Sequence, residues 1–399
     1  MTYPTLLGTS GHGSGGMYDG TYYANVGLGR CPMGVAFKTE SYVSQIIRVP
    51  GTIRHLSWRL DMAVDNELTL VLRQNSANSD LAITIGACTS GWVTSSSTDI
   101  VDVSSGDVLD FAVEASGCHD TAFYCISACF DATTDSAQLL TAVGPASIIG
   151  GSSPSFFNFQ GVLEADPTEI HQQFYCLTAG VWQSMACYID SNTFSGSSVV
   201  VRNRIGLANG SMAISTSSIG KTGYFEDTSD SDSVSAGDLL NYAIAVPDQG
   251  MHSVDLIWIG AHFLASDPSY CMIGGSNGVP ANIPSGFTTY TSLFGGQEID
   301  LTGVSVPRAT GLVPYDLTAS NFTNYVPAVL GSPIATFTLL QNETMAAFTF
   351  TTMEGQTGYF TAAGTADFSV GDRCTNKIAV AWGTIEWASA SLLLQSTSI

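Results

Sequence analysis

One spacing constrains this chain more than any other feature: two short markers occur three times at a fixed separation. The first marker is Asn78-Ser79-Asp80-Leu81-Ala82, Asn209-Gly210-Ser211-Met212-Ala213 and Asn342-Glu343-Thr344-Met345-Ala346. Its copies begin 131 and 133 residues apart. The second is Val103-Ser104-Ser105-Gly106-Asp107, Val234-Ser235-Ala236-Gly237-Asp238 and Phe368-Ser369-Val370-Gly371-Asp372. From Asn to Gly the distance is 28, 28 and 29 residues. A chain with such a period folds as tandem copies of one unit.

Each copy reads as short strands. In the first, Leu56, Trp58 and Leu60 alternate with polar residues, and so do Leu68, Leu70 and Leu72. That is the period of a half-buried strand. A turn is expected over Asn75 to Asp80, before a return strand with Leu81, Ile83 and Ile85. In the second copy Asn209-Gly210 is the expected hairpin turn, because both residues tolerate positive φ. The Ser-x-Gly-Asp element is a second turn, in which Gly relieves the backbone and Asp bonds nearby amides. Asp107, Asp238 and Asp372 are therefore turn formers first and ligands second.

Strands spaced by turns every 8–12 residues or so point to an all-β fold of sandwich or jelly-roll type. The expected layout is an N-terminal arm over 1–21, repeats over 22–137, 153–268 and 286–399, and linkers over 138–152 and 269–285. Gly150-Gly151 and the Gly274, Gly275, Gly278 stretch mark the linkers. Ser136 to Val143 reads as a turn or two of helix.

Composition bounds the partners. The net charge is −22, with 12 Lys and Arg against 34 Asp and Glu. Nucleic acid and anionic membranes are disfavoured, because both are bound through clustered basic residues. The start of the chain shows no basic and apolar leader, so assembly in a cytoplasm is expected.

Chemistry-bearing patterns are weak. Gly274-Gly275-Ser276-Asn277-Gly278 matches G-x-S-x-G as a string, but Val279-Pro280 follows where that motif needs a helix. His12, His55, His119, His171, His252 and His262 share no repeat position, and His119-Asp120 beside Cys118 lies in a loop. The nine cysteines read as buried thiols. Asp227, Asp230 and Asp232 are the one Ca²⁺ candidate, since hard oxygens at close spacing suit that ion. Their loop lacks the Gly and Glu of an EF-hand, so a solvated acidic loop is the better reading. No cofactor is expected. Aromatic residues near each copy's start (Tyr22 and Tyr23, Phe156 and Phe157, Phe287 and Tyr290) suit cores or interfaces, or sugar stacking.

Taken in order, three features resemble the jelly-roll modules of tailed-phage virion proteins, which are related in shape to complement-like and tumour-necrosis-factor-like heads. They are the Gly-led strand Gly51-Thr52-Ile53-x-x-Leu56, the strand Leu70-x-Leu72-Arg73-x-Asn75 with its polar turn, and the Val-Ser-x-Gly-Asp turn. The third copy departs most, at Arg373-Cys374-Thr375-Asn376. The resemblance implies a virion structural protein and not an enzyme, most simply a capsid decoration or cement protein. Its partners would be other virion proteins, with self-association as a further option. It also implies a pseudo-threefold trimer made within one chain. The alternative it allows is a receptor- or glycan-binding tail fibre or spike.

Overall fold

The computed structural model describes residues 4–10, 20–27, 29–30, 39–60, 63–96, 98–117, 123–133, 137–151, 154–195, 198–216, 220–247, 250–293 and 311–396. Cys31, Cys118, His12, His119 and Asp120 lie outside them. The protein is all-β, with several antiparallel sheets paired face to face.

One strand order recurs in three successive blocks. In the first block, one sheet runs Pro4–Ser10, Phe123–Ala132, Gly51–Leu60, and then Gly91–Thr94 with Ile100–Val103. The facing sheet runs Gly20–Ala24 with Gln45–Ile46, then Val108–Ala115, Leu68–Gln74 and Ala77–Ile85. The second block repeats this with Ala137–Ile149, Ser253–Ala265, Gly180–Asn192 and Gly223–Val234. Its facing sheet holds Ser155–Asn158 with Phe174–Tyr175, then Leu239–Ala245, Val199–Ile205 and Ala208–Thr216.

The third block differs in one respect. Its last two strands are fused into one, Arg373–Ser396. The first part of that strand pairs with Thr288–Thr291, Gly311–Leu312 and Ala328–Gln341, and the later part with Tyr270–Pro284 and Leu317–Val326. Met345–Thr351 and Gly358–Phe368 complete the order. A strand shared by both sheets bends them into a nearly closed barrel.

The core follows the alternation. Trp58, Trp182, Trp258 and Trp387 are all buried. Around Trp182, Phe159 stands edge-on at 4.7 Å and Tyr242 at 5.3 Å between centroids. Such contacts add about 0.5–1.5 kcal/mol each beyond the area they bury.

Several expectations are corrected. The stretch 1–21 is not simply an arm, because Pro4–Ser10 is a strand paired along its length with Phe123–Ala132 and residues 4–7 are buried. The expected linkers are strands. Ala137–Ile149, also read as helical at its start, pairs with Ser253–Ala265, and Tyr270–Pro284 pairs with Arg373–Ser396. Small residues there reflect close packing between neighbouring segments. A side chain on Gly274 would collide with Phe174 and with the Ala390 carbonyl.

The hairpin turns fall inside the expected span in the first copy but three residues before Asn209-Gly210 in the second. They are Asn75-Ser76, Gly206-Leu207 and Asn342-Glu343, with φ of 53° and 63°, 56° and 71°, and 52° and 68°. Two positive-φ residues between paired strands are what a tight hairpin of the right twist demands. Asn342 is therefore the counterpart of Asn75, not of Asn78 and Asn209. Asn209-Gly210 lies inside the strand Ala208–Thr216. There Gly210 makes room for the Asn203 side chain, which would overlap any Cβ.

Candidate interaction site: the seams between the blocks

The Gly-Asp turn positions one segment of each block. Gly106, Gly237 and Gly371 have φ of 101°, 97° and 86°, a region that costs most other residues strain. The Gly106 amide donates to the Ile47 carbonyl at 2.7 Å, and the Ile47 amide donates to the Asp107 carbonyl at 2.8 Å. Cys176 with Gly237 and Asp238, and Val313 with Gly371 and Asp372, repeat this reciprocal pair at 2.7–2.9 Å.

The carboxylates tie the turn itself. Asp107 accepts from the Ser104 amide at 2.7 Å, from Gln74 at 2.6 Å and from Asn75 at 2.8 Å. The bond from Asn75, followed by that from Ser104, holds the Asp107 carboxyl below its usual range. Asp372 accepts from Ser369, Gln341 and Asn342 in the same way. Asp238 accepts from the Ser235 amide at 2.7 Å, and Ile205 and Gly206 replace the two amide side chains. Asp107→Ala and Asp372→Ala should each cost about 2–3 kcal/mol, against about 1 kcal/mol for Asp238→Ala. Urea titrations of the three variants check this order, and equal costs would contradict it.

The segments held by these turns reach onto the next block. From the first, Gln45 bonds Thr141 of the second at 3.1 Å. Tyr42 packs on Tyr188 with ring centroids 5.5 Å apart, and Arg48 pairs with Glu226 and donates to the Tyr224 hydroxyl. From the second, Phe174 packs on Gly274 of the third, and Tyr175 lies 5.1 Å from Tyr359. The Leu177 amide points at the Met272 sulfur at 3.2 Å. From the third, the Tyr315 hydroxyl donates to the Pro4 carbonyl of the first at 3.0 Å, and Leu312 stands by Cys125. First touches second, second touches third, and third touches first.

The leading strands repeat that cycle where the blocks meet. Thr5, Gln138 and Cys271 lie 133 residues apart. The Thr5 hydroxyl bonds the Ala137 carbonyl at 3.3 Å, and Gln138 bonds the Met272 carbonyl at 3.0 Å and accepts from its amide at 2.9 Å. The Cys271 thiol faces the Leu6 backbone. The first two blocks also share a sheet, joined through parallel pairing of Gly29–Arg30 and Gly161–Val162.

No protein-family model matches this chain. No curated protein matches it either. Among solved structures, a Paenibacillus xanthan lyase aligns at 13% identity over 73% of this chain, with a TM-score of 0.18. The alignment spans 30% of the lyase chain, and a likeness that weak carries no argument.

The remaining candidates resolve into structural roles. Both oxygens of Asp227 are occupied by amides of Ala213, Ser229 and Asp230 and by the Ser229 hydroxyl. Asp232 accepts from the Ser211 amide and from Asn203. These two carboxylates fasten strand Gly223–Val234 to its neighbour, and Asp230 is left on a bulge between them. Among the described residues no cluster of three metal-ligating side chains forms.

Asn78 and Asn209 each accept from a guanidinium, Arg73 and Arg204, at 2.6 Å. Arg73 also grips Glu40 and lies over Tyr23, while Arg204 grips Glu169 and lies over Phe156. Tyr22, Phe156 and Phe157 are buried while Phe287 is 42% exposed, so among the described residues the copy starts do not present one shared aromatic face. Ser276 is buried in a strand and donates to the Gln160 carbonyl at 3.1 Å. Burial raises the thiols of Cys125, Cys176, Cys187 and Cys271 to about 12, which keeps them protonated and unreactive.

Where strands Ala328–Gln341 and Arg373–Ser396 slip in register, the third block carries exposed apolar side chains. Leu330 is 75% exposed, Met353 71% and Trp382 68%. Strand pairing sets Trp382 against Ile334, and the Gly355 amide donates to Pro333. In the corresponding connection of the second block Met251 is 98% exposed. Sequence reading missed this patch, since Leu330, Met353 and Trp382 lie in three separate segments of the chain.

Proposed function

We propose that this chain is a tailed-phage virion structural protein, a decoration or cement protein on the particle exterior. In this reading it is three tandem jelly rolls, closed around a pseudo-threefold axis. The observation that carries it is the cycle of seams, in which equivalent segments pass from each block to the next. A head-to-tail contact that closes after three steps has no free end, so it terminates assembly instead of propagating it. Joining the copies in one chain makes those contacts intramolecular and raises their effective concentration. Such a body fits a threefold or quasi-threefold position on a capsid. The exposed apolar side chains of Leu330, Met353 and Trp382 supply a particle-facing surface, since exposed apolar patches mark protein contacts.

Two measurements test this. Light scattering should give the mass of one chain, and a stable homotrimer would remove the self-contained body. Antibody raised against the chain should then label the capsid of particles whose genome encodes it. Loss of the gene should lower the particles' resistance to heat while leaving adsorption to cells intact. Lost adsorption with unchanged capsid stability would move the assignment to a receptor-binding fibre or spike.

A further inference from the structure

The seam between the first and second blocks differs from the other two. It carries a charged pair, Arg48 with Glu226, and a buried histidine. His262 lies on strand Ser253–Ala265 and is 3% exposed. Alternation places it on the same face as Trp258 and Gly260, toward the neighbouring block. Among the described residues, neither ring nitrogen makes a hydrogen bond of good geometry, although the Ile46 backbone comes near enough to favour the charged form. The ring lines a small cavity with Gln45, Ile46 and Arg48 of the first block. The cavity has space of about 10 Å³, near the minimum for one water.

Each element packed around the ring contributes to its charge environment. Segment 45–48 brings Arg48, the nearest cation. Strand Gly223–Val234 brings Tyr224 and, paired with Arg48, Glu226. Strands Gly180–Asn192 and Ala137–Ile149 bring Ser184, Ala186 and Leu139, none of which titrates. A proton on His262 would place a second cation against Arg48 in a space too small to hydrate it.

We propose that this seam is an acid-opened latch and that His262 is its proton sensor. Opening it lets the 42–48 segment lift from the second block while the seams around Phe174 and Tyr315 stay shut. Those seams are joined by apolar, sulfur-bearing and neutral polar side chains, and no histidine makes a contact named above. Burial first, and Arg48 second, lower the His262 ring to about 4, with the Ile46 backbone pulling weakly the other way. The folded value lies below the unfolded one. The closed seam is therefore fully stabilised above about pH 6.5 and loses stability as pH falls toward 4.

Hydrogen exchange corrected for intrinsic rates tests this on the full chain. Between pH 7 and pH 4, the opening equilibrium for 42–48 and 253–265 should rise by about 100-fold. Peptides covering 174–177 and 311–315 should stay flat. His262→Gln should abolish the rise. Equal loss of protection at all three seams, or an unchanged profile in His262→Gln, overturns the proposal. Should that variant not fold, Arg48→Met serves instead. Removing the facing cation should bring the folded His262 value closer to the unfolded one and shrink the acid-driven rise, and an unchanged rise overturns the latch.

Discussion

Replacing Phe174 by alanine should destabilise the protein by about 3–5 kcal/mol, the range for deleting a buried phenylalanine. Phe174 belongs to a two-residue strand, Phe174–Tyr175, and would look dispensable from that alone. Its ring is 1% exposed, lies 5.4 Å from Phe159, and covers Gly274 of the third block. The loss should therefore extend beyond the second block. Hydrogen exchange should quicken in Tyr270–Pro284, a strand that begins 96 residues after Phe174. A loss under about 1 kcal/mol would place the ring at the surface. A full loss confined to the second block would separate Phe174 from the seam.

Asp110→Asn should stabilise the protein at alkaline pH. Asp110 is fully buried beside Arg73 and Glu40, and Ser44 donates to one of its oxygens at 3.1 Å. Burial, then the charge of Glu40, raise its carboxyl to about 8. The folded value lies above the unfolded one, so the folded state holds the extra proton between about pH 4 and pH 8. Stability falls as pH rises through that window. Asparagine supplies a neutral group of the same shape and keeps an acceptor for Ser44. The second block already carries Asn241 at the matching position, three residues after its Gly-Asp turn.

The variant should match the parent near pH 4. It should exceed the parent by on the order of 3 kcal/mol at pH 8, a figure set below the full linkage value because Glu40 shares the shift. His262 has the opposite sign below about pH 6.5, so the comparison is cleanest between pH 6.5 and pH 8. A constant difference across pH would mean that Asp110 is ionised throughout.

Both variants act through contacts of different legibility. Asp110 follows a turn whose sequence mark recurs, but the alternation of Leu109, Phe111 and Val113 places it on the other face of the strand, so its burial is not readable from that pattern. The partner that decides its protonation, Glu40, lies 70 residues earlier in a short 3-10 turn with no pattern of its own. Phe174 is harder still, because what buries it is a glycine in a stretch that reads as a linker. His262 was legible only as one histidine among six; its role depends on Arg48 from another block.

The third copy shows how local patterns mislead. Asn342-Glu343-Thr344-Met345-Ala346 matches the other Asn-x-x-x-Ala strings, yet Met345 is 55% exposed where Leu81 and Met212 are buried. The matching string is a coincidence of a turn in one copy and a strand in the others. What aligns the copies is backbone conformation, positive φ at Asn75, Gly206 and Asn342, and different residues can supply it.

Sequence alone determined that the chain is all-β and periodic. Both follow from short-range physics, in which apolar alternation selects strands and Gly, Asn and Asp select turns. Tertiary structure decided where each block starts, why its opening strand is rich in small residues, and how the blocks touch. Strand pairing joins residues more than a hundred positions apart, as Pro4–Ser10 is joined to Phe123–Ala132. A glycine that admits a neighbour's ring looks the same in sequence as one that loosens a linker, and only the packed neighbour tells them apart.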